Sequence, residues 1–171
     1  MKKENQKGNS SVIELITVII MSFAYIGIFF SAFISQNPNY FEIIGFIGWV
    51  IWLSGLILAF TPNIVFKRHG GVPKGKSYVH TTKLVTDGIY GIIRHPQYTG
   101  GLIIVFAMCL ILQTPLAYFL AIIAMITTYL SMILEEKRLI VKFGSQYEVY
   151  MVNVPRANLL VGLIRKFKKD E

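Results

Sequence analysis

Arg94, His95 and Tyr98 stand within five residues of one another, and Glu135 and Glu136 stand side by side nearly forty residues later. A histidine and a tyrosine three positions apart share one side of a helical first turn. Pro96 between them suits that turn, where its missing N–H costs nothing. The N–H groups at a helix start favour an anionic group such as a ligand carboxylate, and the two glutamates supply the opposite sign. Nucleophilic catalysis has no strong candidate here. The single cysteine, Cys109, lies inside an apolar run, and no Ser/His/Asp arrangement is apparent. His69, His80 and His95 have no regular metal-ligand spacing with the glutamates, so no metal is expected. What remains is a site for a polar cofactor bearing both charge signs and facing an oily partner. Such a site promotes reaction by holding two reactants in line.

Everything around these residues is apolar. The 171-residue chain is 54% hydrophobic and 15% charged, against about a quarter charged in soluble domains. Its formal charge of +8 comes from 17 Lys and Arg against 9 Asp and Glu. The basic residues flank long apolar runs, which points to anionic lipid headgroups and membrane orientation rather than nucleic acid.

Residues 12–34 are too long for a secretory signal and long enough to cross a bilayer. A turn is expected at Ser35-Gln-Asn-Pro-Asn39. A second span over 41–60 is expected to stop at Thr61-Pro62-Asn63, with Gly45, Gly48 and Gly55 allowing close helix approach. Trp49 and Trp52 fall mid-span and are expected to pack.

The glycine-rich stretch 67–94 is too long for a tight turn, and loops of that length are usually functional. The apolar runs 100–112 and 116–134 are joined by Gln113-Thr114-Pro115 and so form an antiparallel hairpin. From 98 to 112 a helix rises roughly 22 Å, short of a core about 30 Å thick. Either the helix starts earlier, at Ile92-Ile93, or the motif dips below the headgroups. Residues 135–143 are expected to run helically and to stop at Gly144. The tail Arg165-Lys-Phe-Lys-Lys169 reads as a contact for anionic lipid.

Every lysine and arginine lies in the N-terminal segment, in 67–94 or after 134. The positive-inside rule then puts both termini in the cytoplasm. The expectation is an all-α integral membrane protein of about four transmembrane helices with a cytoplasmic C-terminal helical segment. Residues 1–66 hold two spans, and residues 67–171 hold the cofactor-binding catalytic region, with the hairpin 98–134 bringing Arg94, His95 and Tyr98 to the surface where Glu135 and Glu136 emerge.

Leu84-Val-Thr-Asp-Gly-Ile-Tyr90, Arg94-His-Pro-Gln-Tyr-Thr-Gly100, Glu135-Glu136, Phe143-Gly-Ser-Gln-Tyr-Glu-Val-Tyr150 and Val154-Pro155 fall in the order and spacing of one family. Over residues 80–156 the chain resembles the isoprenylcysteine carboxyl methyltransferases and the related phospholipid N-methyltransferases. The resemblance implies S-adenosylmethionine as cofactor, in a cytoplasm-facing pocket roofed by the C-terminal segment. Carried over by position, Thr82, Lys83, Leu84, Val85, Tyr90, His95, Pro96, Gln97 and Tyr98 would line it and Glu135 would complete it. Arg94, His95, Tyr98, Glu135 and Glu136 would form the catalytic set. In those roles His95 and Tyr98 hydrogen-bond the cofactor carboxylate, and the backbone at 82–85 borders the adenosine. Glu135 meets the ammonium or the ribose, and Glu136 supports Glu135 or binds Arg94.

One departure bears on the acceptor. The prenylcysteine enzymes carry a substrate-contacting arginine a few residues before the glutamate pair, where this chain has Ser131-Met-Ile-Leu134. The expected partner is therefore a lipophilic molecule from the bilayer bearing a carboxylate, a hydroxyl or an amine, with Tyr147 and Arg156 as candidate contacts. The alternatives are an NADPH-dependent membrane reductase of the sterol-reductase type and a non-catalytic accessory protein. Intact His95, Tyr98 and Glu135 argue against the latter.

Overall fold

A computed structural model describes residues 2–34, 37, 39–73, 75–76 and 80–170, with side chains described between Val12 and Lys168. Six α-helices occur among the described residues: α1 Lys2–Ile34, α2 Glu42–His69, α3 Pro96–Leu112, α4 Pro115–Phe143, α5 Ser145–Asn153 and α6 Leu159–Asp170. A 3-10 turn, Gly88–Gly91, precedes α3. Of the expected turn at 35–39, Ser35, Gln36 and Pro38 lie outside the described residues, as do Lys74 and residues 77–79 of the long loop.

Among the described residues, three helices are long and apolar enough to cross a membrane: Val12–Ile34, Glu42–His69 and Pro115–Phe143. They make this a membrane protein. The fourth apolar helix, α3, has 17 residues and rises about 25 Å. It starts at Pro96, so of the two alternatives the earlier start at Ile92-Ile93 does not occur. A second difference concerns α2, which does not stop at Thr61-Pro62-Asn63 but runs through Pro62 to His69. A proline removes one N–H from the ladder, and apolar membrane helices tolerate this where local contacts re-satisfy the backbone.

The chain divides into two compact units, Met1–Gly55 with Gly101–Glu135 and Leu56–Gly100 with Glu136–Glu171. In the first, Ala24, Ile28, Val105, Ala121 and Ala124 form the buried cluster. Small residues dominate it because, in lipid, helices associate by close packing rather than by escape from water. Gly48 does what its face predicts: a Cβ there would lie 3.0 Å from the Ala107 carbonyl oxygen. Trp49 and Trp52 meet edge to face at 5.6 Å, with Trp49 still half exposed. Several hydroxyls within the spans bond within their own helix, as where Thr127 donates to the Ile123 carbonyl and Ser131 to that of Thr127, while the Thr128 hydroxyl pairs with that of Tyr25 at 3.3 Å.

The hairpin turn is held by its glutamine. Gln113 adopts φ 52°, and its amide both donates to the Phe41 carbonyl at 2.9 Å and accepts from the Phe41 N–H at 3.0 Å. Thr114 then caps α4, accepting from the Ala117 N–H. Phe23, Phe33, Ile43 and Phe46 all point outward, as side chains facing hydrocarbon do.

In the second unit, α2 ends at Gly70, whose carbonyl accepts from the N–H groups of Thr82 and Lys83 at 2.9 and 3.1 Å. The long loop thus folds back on the helix end. Gly144, at φ 58°, ends α4 and starts α5, a conformation open to glycine at no steric cost. Tyr147, Tyr150 and Val154 then bury themselves against Leu84, Leu139, Ile140, Phe143 and Met151. Gly162 of α6 sits against the Ile92 carbonyl oxygen so closely that a Cβ would collide with it. Gly162→Ala is expected to destabilise this unit by about 1–3 kcal/mol, the usual cost of overpacking, despite alanine's better helix propensity. Thermal unfolding in detergent checks it, and an unchanged melting temperature would show that α6 shifts freely.

Candidate active site

The site is assembled around Glu136, the last buried acid of α4. Arg94 reaches its Oε1 with Nε at 3.1 Å and Nη2 at 2.8 Å. Arg156 grips both oxygens, Nε to Oε1 at 3.0 Å and Nη2 to Oε2 at 2.6 Å. His95 Nε2 stands 3.2 Å from the same Oε1. The side chains of Arg94 and Glu136 are 7% and 4% exposed, and that of Arg156 is 26% exposed. Two guanidinium groups therefore share one carboxylate, which they hold ionised.

Backbone geometry explains how these groups meet. The residue before a proline is pushed out of the helical region, and Val154, before Pro155, is extended at φ −118°, ψ 128°. That extended stretch lies along Arg94-His95: the Arg94 N–H donates to the Pro155 carbonyl at 3.0 Å and the His95 N–H to that of Arg156 at 3.1 Å. Arg94 Nη1 donates to the carbonyls of Met151 and Val154 at 2.6 and 3.0 Å. Four of the five N–H donors of Arg94 are thus bonded within the protein.

The expected residues fall in different surroundings. Arg94, His95 and Glu136 come together in the buried cluster, with Tyr98 edge-on to the His95 ring at 5.7 Å. Pro96 is buried as the first residue of α3, and Gln97 beside it is exposed. Thr82 and Lys83 are exposed where the loop is pinned to the end of α2, while Val85 is buried and Leu84 half-buried.

Tyr90 is held in place. Its ring lies 4.9 Å from that of Phe66, and its carbonyl accepts from the Tyr150 hydroxyl at 2.6 Å. Burial, with Tyr147 nearby, pushes the Tyr150 phenol well above its ordinary pKa, so it stays a donor. Glu135 precedes Glu136 on α4 and is half-buried. Among the described residues it has no hydrogen-bond or ion-pair partner. The two glutamates are therefore not equivalent.

Sequence alone suggests Arg156 and Tyr147 as contacts for the acceptor and gives no sign of the pairing of Arg156 with Glu136 or of the Tyr150 bond. Tyr147 is instead buried in the apolar cluster. The available signal was Pro155, which forces Val154 into the extended form that lets the two backbones pair.

No curated protein and no solved structure matches the chain. A family model does: residues 46–146 match that of phospholipid methyltransferase, a stretch that takes in Arg94, His95, Tyr98, Glu135 and Glu136 and covers more than half of the 171 residues. The chain belongs to the phospholipid methyltransferase family, and its activity is methyl transfer to a membrane lipid.

Proposed function

We propose that the protein transfers a methyl group from S-adenosylmethionine to a lipophilic acceptor at the cytoplasmic face of the membrane. The observation that carries this reading is the start of α3. An exposed Gln97 and a half-buried Tyr98 form its first turn, directly after a buried cluster in which two arginines share one carboxylate. A helix N-terminus beside excess positive charge attracts a carboxylate. Glu135, without a partner of its own among the described residues, is available to an ammonium group, and Leu84 and Val85 offer apolar surface to an adenine. The donor set therefore fits the cofactor, which supplies a methyl group on a sulfonium.

The chain's residues act by binding and alignment, the contribution that orientation makes to a two-reactant step. Gln97, Tyr98 and Glu135 fix the amino-acid end, Thr82 to Val85 border the adenosine, and Arg94, His95 and Glu136 hold the start of α3 in place. An ionised carboxylate acceptor needs no base, whereas a hydroxyl or an ammonium acceptor does.

Charge distribution supports four passes with both termini cytoplasmic, since the turn at 113–115 carries no lysine or arginine. An α3 of about 25 Å within a core of about 30 Å supports a position of Arg94 to Tyr98 at or just under the headgroups, where a lipid acceptor arrives sideways from the bilayer.

Titration of the purified protein is expected to show binding of S-adenosylhomocysteine and none of NADPH. Incubation with labelled S-adenosylmethionine and a total lipid extract should yield a labelled lipid, whose mass identifies the acceptor. Binding of NADPH alone would overturn the reading in favour of a reductase.

A further inference from the structure

Helix α6 turns its apolar side away from the protein. Gly162 is its one buried residue among those described, with its backbone against the Ile92 carbonyl. At 3.6 residues per turn, Leu160, Ile164 and Phe167 fall on the side opposite Gly162, with Leu163 at the edge of that stripe. All four are exposed, Leu160 at 74% and Phe167 at 67%. Arg165 and Lys168 flank one edge of this stripe and Lys166 the other, all exposed.

The helix is well made in this position. Asn158 caps it, its side chain accepting from the Val161 N–H at 3.1 Å, and Arg165 reaches back to the Val152 carbonyl at 3.3 Å. Its 12 residues rise about 18 Å, too short to cross a core of about 30 Å. An apolar stripe edged by cations, on a helix too short to span, is the pattern of a helix lying in the membrane interface.

We propose that α6 docks onto an anionic phospholipid surface, its apolar stripe in the acyl boundary and Arg165, Lys166 and Lys168 on headgroup phosphates. Charge complementarity selects this occupant over a second copy of the chain, whose own α6 would bring the same cations. Docking also fixes Asn158 two residues beyond Arg156, and with it the extended segment whose carbonyls hold Arg94 and His95. The inference does not depend on which methyl acceptor the protein uses.

The full chain carrying Cys109→Ala and a nitroxide at either Ile164→Cys or Lys166→Cys is reconstituted in nanodiscs of phosphatidylglycerol or of phosphatidylcholine. Collisions with oxygen and with a water-soluble nickel chelate are then read by electron paramagnetic resonance. In phosphatidylglycerol the label at 164 should favour oxygen and be shielded from nickel at least threefold more than the label at 166. That shielding should fall in phosphatidylcholine and when Arg165→Gln and Lys168→Gln accompany the label at 164. Equal nickel access at 164 and 166 in phosphatidylglycerol would overturn the proposal. Equal shielding in the two lipids would overturn the assignment to anionic headgroups. Spin–spin broadening at 164 would give the surface to a second copy and overturn it too.

Discussion

Glu136→Gln is expected to lower the melting temperature of the detergent-solubilised protein by on the order of 10 °C. The substitution keeps the side-chain volume and removes the charge. Arg94, 7% exposed, then faces Arg156 with no anion between them. Removing one partner of a buried ion pair costs about 3–5 kcal/mol, and each kcal/mol shifts melting by about 2–4 °C in a chain of this length. Oε1 of Glu136 also collects contacts from three side chains, Arg94, His95 and Arg156, so its loss loosens the start of α3, the end of α4 and the segment after α5 together.

Arg156→Gln is the control. Arg156 is the most solvent-accessible member of the cluster, and its removal leaves Glu136 neutralised by Arg94, so the drop should be clearly smaller. Equal drops for the two variants would mean that the cluster is not centred on Glu136.

What could be read from the chain beforehand follows from where the signals are local. Pro96 at the first position of α3, Gly144 after α4 and the short Gln113-Thr114-Pro115 turn are each written in a few adjacent residues, and each punctuates the structure as expected. Pro62 misled because the same rule has an exception in apolar helices, where a proline need not end the helix.

Spacing alone does not divide the labour between Glu135 and Glu136; the family resemblance does, and the Arg94–Glu136 bond matches one of the two roles it gives Glu136. Adjacent residues on a helix point about 100° apart, and which one faces inward depends on the rotation of α4 against its neighbours. Arg156 was not legible as a partner of Glu136 for a related reason. Its position depends on backbone pairing between 155–156 and 94–95, and peptide groups look alike in every residue. The family match, ending at residue 146, stops short of both Tyr150 and Arg156.

Glu135→Gln is expected to do the opposite of Glu136→Gln, weakening S-adenosylhomocysteine binding about 10- to 100-fold while moving the melting temperature by no more than about 1–2 °C. Glu136 is already committed to two arginines, so it cannot also neutralise a ligand. Glu135 has no such commitment among the described residues, and its removal breaks no bond within the protein. A charge-assisted hydrogen bond to an ammonium group is worth about 1.5–3 kcal/mol, which at about 1.4 kcal/mol per decade gives the stated range.

Methylthioadenosine, which keeps the adenosine but lacks the amino-acid end, locates the contact. If Glu135 meets the ammonium, methylthioadenosine binds the variant and the unsubstituted protein equally. If it meets the ribose, both ligands lose affinity together. Unchanged affinity for both would remove Glu135 from the site, and with it the physical reason for two adjacent acids at the end of this span.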